Sequence, residues 1–100
     1  MVNGRAIVFE AKHTDDEQIT FDRLTVEQRR QLEAYSNMRA FAFVLVSVKL
    51  QYFYIVPWHI WRDMKKLFGR KYMGMQDLER FRVPIRNGII DFLMWMEASK

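Results

Sequence analysis

The alternation of apolar and polar residues predicts where the strands of this chain lie. Residues 5–12 alternate in polarity, which places Glu10 and Lys12 on the same face of a predicted strand. Residues 41–48 (FAFVLVSV) are almost wholly apolar, a pattern typical of a central strand that is buried on both sides. Residues 51–56 (QYFYIV) follow after a short connection and predict the hairpin partner of that strand.

A helix is predicted between the first two strands. Thr25 is a typical N-cap, and Gln28 stands where the capping-box partner of that residue belongs. The helix is expected to continue to about Asn37. The polar residues 13–18 before it predict a loop.

Further helices are predicted in the second half of the chain. Residues 58–67 are amphipathic, and Gly69 ends that segment. Residues 75–81 predict a short helix, and residues 89–98 (IIDFLMWMEA) predict a terminal helix with a large apolar face. The order strand, helix, strand, strand, helix, helix predicts an α/β domain with a small mixed sheet flanked by helices.

Length and composition favour one domain spanning residues 1–100. The chain is 50% hydrophobic and contains no cysteine, which excludes a disulfide framework and a thiolate zinc site. The most apolar window, residues 40–56, is interrupted by Lys49 and Gln51 and is too short to span a bilayer. No secretory signal is present at the N-terminus. We therefore expect a soluble, cytoplasmic protein without a membrane partner.

Glu10, Lys12 and Gln28 are the candidate catalytic residues. A strand carboxylate can bind a divalent cation, and a lysine on the same face can stabilise the charge that develops on a phosphate. Gln28, one turn into the first helix, can reach the same site. The alternatives are an exposed ion pair between Glu10 and Lys12, and a purely capping role for Gln28.

The net charge of +4 favours an anionic partner such as nucleic acid. Candidate phosphate-binding cations are Arg29, Arg30, Lys65, Lys66, Arg70, Lys71, Arg80, Arg82 and Arg86. From this set we predict DNA contacts for Arg29, Arg30, Arg70 and Lys71. The alternative is an ordinary solvated surface.

Several collinear segments resemble one protein family. The most specific are F-E-A-K-x-T at residues 9–14 and G-R-K at residues 69–71. Weaker matches are Gly4-Arg5, Phe21-x-x-Leu24, Gln28, Ala42-Phe43-Val44, Phe53-Tyr54, Trp61, Leu78, Pro84-Ile85 and Asp91-Phe92-Leu93. The chain resembles the C-terminal portion of the RecU-type Holliday-junction resolvases, also called penicillin-binding-protein-related factor A.

The resemblance implies a fold, a reaction and partners. The fold would be a truncated PD-(D/E)xK, restriction-endonuclease-like core, and the reaction the Mg²⁺- or Mn²⁺-dependent nicking of four-way DNA junctions by a homodimer. Glu10 matches the metal-binding glutamate, Lys12 the motif lysine, and Gln28 a glutamine beside the active site. The resemblance also implies branched or duplex DNA as substrate, recombination proteins as further partners, and a bacterial or phage source.

The chain departs from the family before Glu10. The family carries a metal-binding aspartate on the preceding strand, whereas the nine residues before Glu10 (MVNGRAIVF) contain no carboxylate. We therefore expect an incomplete version of the family's metal site in this chain. Three explanations stay open: a fragment of a full resolvase, a minimal relative that takes a ligand from a partner chain, and a DNA- or protein-binding dimer without catalysis.

Overall fold

The computed structural model of the chain describes residues 4–86 and 89–90. Its strands are β1 (Ile7–Thr14), β2 (Gln18–Thr20), β3 (Phe41–Val48), β4 (Tyr52–Pro57), β5 (Tyr72–Gly74), β6 (Ile85–Arg86) and β7 (Ile89–Ile90). Its α-helices are α1 (Val26–Asn37), α2 (Trp58–Arg62), α3 (Met64–Phe68) and α4 (Met75–Leu78), with 3₁₀ turns at Phe21–Arg23 and Glu79–Phe81. No helix in the described part of the chain is long and apolar enough to cross a membrane.

The central sheet is mixed and has the strand order β1-β3-β4. Strand β1 runs parallel to β3, with Glu10 opposite Val44, and β3 pairs antiparallel with β4. Parallel neighbours need a crossover, and α1 lies in the connection between β1 and β3. The predicted α/β class, the mixed sheet flanked by helices and the central place of β3 are confirmed, and this arrangement is compatible with a nuclease-like core.

The main core lies between the sheet and the helices. Leu32 of α1, Val44 and Val46 of β3, and Trp61 of α2 are each at most 1% exposed. On the opposite face of the sheet, Phe43, Ile55 and Val83 form a smaller buried cluster. The face of β1 that carries Glu10 and Lys12 looks toward α1, because Val8 on that face packs against the main core.

Several element boundaries differ from those predicted. Strand β1 begins two residues later than expected and continues through His13 and Thr14, so that the predicted loop shrinks to the turn at residues 15–17. The predicted helix over residues 58–67 is two short helices, because the chain leaves helical geometry at Asp63 (φ −95°, ψ 22°). The Asp63 carboxylate binds the neighbouring Arg62 guanidinium there, and aspartate favours such helix ends.

Two further differences concern short strands. Strands β2 and β5 pair antiparallel and were not predicted, since three-residue strands carry almost no periodicity. The prediction of a terminal helix over residues 89–98 is wrong at its start, where Ile89 and Ile90 form β7 and pair with β6. Short apolar runs do not distinguish helix from strand, and β-branched isoleucines suit a strand. Residues 91–98 of that prediction lie outside the described residues.

The hairpin between β3 and β4 turns at Lys49 and Leu50, as predicted. Both residues have positive φ, 53° and 54°, and the Gln51 amide donates to the Val48 carbonyl at 3.0 Å. Glycine and asparagine normally occupy such positions, because a side chain there is strained. Leu50 is 72% exposed, so little packing offsets the strain.

Leu50→Gly is therefore expected to raise the free energy of unfolding by about 0.5 to 1 kcal/mol, since it removes the strain and loses little contact. Urea denaturation followed by circular dichroism measures the change. Leu50→Ala is the matched control: it removes the exposed side chain but keeps the strained backbone, so it should stay near wild type. Equal stabilisation by both variants would contradict the prediction.

Candidate nucleic-acid interface around Glu10 and Lys71

Strand β1 presents Glu10 and Lys12 on the face that looks toward α1. Both side chains are half-buried, whereas Phe9 and Ala11 on the opposite face are exposed. The Gln28 side-chain amide donates from Nε2 to Glu10 Oε2 at 3.3 Å. The sequence prediction that Glu10 and Gln28 share one site is therefore matched by a direct contact, and Lys12 lies one step along the same strand face.

Gln28 also completes the capping box of α1. Its backbone amide donates to Thr25 Oγ1 at 3.1 Å, and its Oε1 accepts from the Thr25 amide at 3.0 Å. These bonds orient the side chain, with its oxygen toward the helix end and its NH₂ group toward Glu10. The two interpretations of Gln28 are therefore compatible, since the cap fixes the amide that reaches Glu10.

Glu10 does not form the exposed ion pair with Lys12 that was weighed as an alternative. Within residues 4–86 and 89–90, the Glu10 carboxylate accepts a hydrogen bond from Gln28 and forms no salt bridge. Lys12 is thus available to an anion approaching this face of β1. A carboxylate hydrogen-bonded by a neutral amide keeps its negative charge uncompensated, which suits a cation ligand.

The described residues do not by themselves fit the Mg²⁺ or Mn²⁺ site that the family uses. No group of three His, Asp or Glu side chains in this part of the chain lies close enough together to hold a metal. Asp15, which follows the motif, pairs with His13 at 3.0 Å. The described residues therefore bring fewer than three such ligands together at Glu10, and Mg²⁺ demands an ordered octahedral shell.

The Gly69-Arg70-Lys71 turn is brought to the start of α1 by the pairing of β2 with β5. In this pairing Thr20 lies opposite Tyr72, and the Phe21 amide donates to the Lys71 carbonyl at 2.9 Å. Gly69 has φ 75° and ends α3 in the left-handed conformation, which favours glycine. The turn is therefore beside the helix end that carries Gln28, although it is distant in sequence.

The predicted DNA-binding residues differ in how their charge is used. Arg70 binds the Asp77 carboxylate and donates to the Phe68 carbonyl at 2.8 Å, so it holds the turn together. Arg30 lies 3.6 Å from Glu27 and is 76% exposed. The positive charges of Arg70 and Arg30 are therefore partly neutralised by carboxylates of the protein itself.

Arg29 and Lys71 share one aromatic ring. The Arg29 guanidinium carbon lies 4.7 Å from the centroid of the Phe21 ring, and the Lys71 ammonium lies 5.6 Å from it. Arg29 also donates to the Leu24 carbonyl at 2.8 Å and lies 3.6 Å from Asp22. The result is a pair of adjacent cations next to the first turn of α1, in which Gln28 contacts Glu10.

Comparison with models of known protein families identifies the family to which the chain belongs. The sequence model of RecU, recombination protein U, matches residues 1–98. The chain belongs to the RecU family. No curated protein matches its sequence. Membership of the RecU family suggests a function related to Holliday-junction resolution and implies binding to DNA junctions.

The F-E-A-K-x-T motif of this RecU-family chain has a structural part and a chemical part. Its threonine, Thr14, is 5% exposed and accepts from the Asp16 amide at 3.1 Å, which closes the turn after β1. The intervening residue, His13, is half-exposed and bonds to Asp15 and to Ser47. Glu10 and Lys12 are the members that face α1.

Two residues of the interface were not predicted to act there. Phe21 was noted in the sequence only as part of the family resemblance, yet its ring contacts the cations of Arg29 and Lys71. Asp77 holds Arg70 and also accepts from the Gly74 amide at 3.0 Å. The acidic residue three positions after Gly74 is the usual signal of a helix start, and it could have identified Asp77.

The two cations of the G-R-K turn are expected to differ in their effect on folding. Arg70→Ala should lower the free energy of unfolding by about 1 to 2 kcal/mol, a range reduced because Arg70 is partly exposed. Lys71→Ala should change it by less than about 0.5 kcal/mol. Denaturant titrations of both variants measure the difference, and equal losses would show that Arg70 has no special role in the turn.

A second carboxylate beside Glu10 should create a divalent-cation site. Gln28→Glu can keep the capping box but sets two carboxylates together, and the repulsion between them should lower the free energy of unfolding at neutral pH. Mn²⁺ should restore this stability.

Thermal unfolding with and without Mn²⁺ measures the effect. The Glu10→Gln/Gln28→Glu double variant is the control, since it has one carboxylate again and should not respond. Equal Mn²⁺ responses of wild type and Gln28→Glu would contradict the prediction that the added carboxylate creates the cation site.

Proposed function

We propose that this RecU-family chain is a branched-DNA-binding domain that carries a partial phosphodiesterase site. The observation that carries the proposal is the contact between Glu10 and Gln28 one residue from Arg29, which shares the Phe21 ring with Lys71. A carboxylate beside fixed cations is the combination that phosphodiester chemistry requires. Family membership supplies the substrate class, the four-way DNA junction.

Backbone phosphates are the groups that the cations would bind. The chain carries a net charge of +4, and binding by Lys71 would release counterions from DNA. Lys12, half-buried on the same strand face as Glu10, is the cation that would contact the reacting phosphate. Arg29, Arg30 and Arg70 would extend the contact along the backbone, with Arg70 acting mainly by holding the turn.

Cleavage would require a carboxylate beyond those that the described residues bring together. Glu10 is proposed as one ligand of a Mg²⁺ or Mn²⁺ ion, and Gln28 as the residue that orients its carboxylate. A second copy of the chain is one source of a further ligand. With Glu10 as the one carboxylate, the proposed role is recognition of the junction rather than its hydrolysis.

A non-catalytic DNA- or protein-binding dimer is the second candidate function. Its support is the absence, among the described residues, of a group of three metal-binding side chains, together with the apolar face of the sheet opposite α1. The residues that line a groove of about 240 Å³ on that face include Ala11, His13, Leu45, Ser47, Leu50 and Phe53. A homodimer and contacts with recombination proteins are proposals that follow from the family.

Fluorescence anisotropy with a labelled four-way junction tests the binding function. We expect tighter binding to the junction than to a linear duplex of the same sequence, with an affinity that falls steeply as salt rises. Lys71→Ala should reduce the slope of log K against log salt by about 1, as expected for one phosphate contact. Lys49→Ala, which removes an exposed cation paired with Glu17, is the matched control.

Nicking of the same junction in Mn²⁺ separates the two candidate functions. Nicking that is lost in both Glu10→Ala and Lys12→Ala, but kept in Glu17→Gln, would support a catalytic function for the site. Salt-sensitive binding without nicking would support the binding dimer. Absence of both binding and nicking would contradict the DNA function.

A further inference from the structure

The Lys71 ammonium contacts an aromatic ring, whereas several other cations of the chain form salt bridges with carboxylates. Carboxylate pairs are formed by Arg30 with Glu27, Lys49 with Glu17, Arg62 with Glu33, Arg70 with Asp77 and Arg82 with Glu79. In the described part of the chain, no carboxylate lies within salt-bridge distance of Lys71, and its ammonium lies 5.6 Å from the Phe21 centroid. The ring therefore restrains the lysine without neutralising it.

We propose that Phe21 is a positioning residue for DNA binding, which holds Lys71 as an uncompensated cation for a backbone phosphate next to Glu10 and Gln28. This inference rests on the proposed DNA-binding function and adds the residue that orients the contact. Phe21 is half-buried against the main core, and its amide is bonded to the Lys71 carbonyl at 2.9 Å. Both the ring and the backbone of the turn are thus fixed.

The energetic argument compares the two ways of holding a cation. A lysine in an ion pair has to exchange its carboxylate for the phosphate, whereas a lysine over a ring keeps its full charge for the ligand. A lysine that is free in solvent loses rotamer entropy when it binds a phosphate. A lysine that contacts a ring is already restricted before binding, so it loses less entropy when the phosphate binds. Arg29 is less dependent on the ring, because Leu24 and Asp22 also hold its guanidinium.

The test is a double-mutant cycle on the full chain with the labelled four-way junction. Phe21→Leu removes the ring and keeps an apolar side chain, and it should weaken binding about two- to fivefold, the value of one exposed cation–aromatic contact. Phe21→Tyr keeps a ring and should bind within twofold of wild type. In a Lys71→Met background, Phe21→Leu should have almost no further effect, because its effect acts through Lys71.

Tyr72→Leu is the matched control. It removes a neighbouring ring, which lies 5.0 Å from the guanidinium of the carboxylate-paired Arg70, and should leave affinity unchanged. A readout without DNA is the proton spectrum of Lys71. Its ε-methylene resonances should be shifted upfield by the ring current, and Phe21→Leu should abolish this shift while Phe21→Tyr retains it.

The outcomes separate this inference from the proposed function. Salt-sensitive binding by wild type with no effect of Lys71→Met, or with an equal effect of Phe21→Leu in both backgrounds, overturns the role of Phe21 and leaves DNA binding intact. An unshifted Lys71 resonance in wild type also overturns it. Absence of junction binding by wild type removes the proposed function, and the role of Phe21 with it.

Discussion

The parallel pairing of β1 with β3 is the constraint on which the site depends. Because parallel neighbours cannot be joined by a tight turn, the chain must cross over, and the crossover carries α1 back along the sheet. The N-cap Thr25 then fixes where α1 begins, and this places Gln28 against Glu10. A shift of β1 by one residue would turn Glu10 and Lys12 to the opposite face, away from α1. The strand register and the capping box together therefore define the geometry of the site.

Charge in this domain serves two purposes, and the structure separates them. Arg70 is used inside the protein, where Asp77 and the Phe68 carbonyl hold it, and it gives the G-R-K turn its shape. Lys71, the next residue, is directed to the Phe21 ring and keeps its charge. A short basic motif thus contains one residue that builds the surface and one that is available to a phosphate. The same division explains why a modest net charge is compatible with DNA binding: the placement of uncompensated cations matters more than their number.

The E-x-K pair of this RecU-family chain lies in a nuclease-like core in which the described residues bring together no group of three acidic or histidine ligands. Glu10 and Lys12 share the face of β1 toward α1, and the Gln28 amide donates to the Glu10 carboxylate. A set of three such ligands would need a group from outside those that the described residues bring together. Recognition of DNA and hydrolysis of DNA thus have separate requirements in this fold, since cations are sufficient for the first and a complete ligand shell is needed for the second.

The sequence by itself determined the local features: the central apolar strand β3, the hairpin after it, the capped helix α1, the shared face of Glu10 and Lys12, and the resemblance to the RecU family. These features follow from patterns within a few residues, where side-chain periodicity and capping rules apply. Only the tertiary structure decided that β2 pairs with β5, and hence that Lys71 meets Phe21. Such contacts join residues far apart in the chain, and they depend on packing and strand pairing, which local periodicity does not encode.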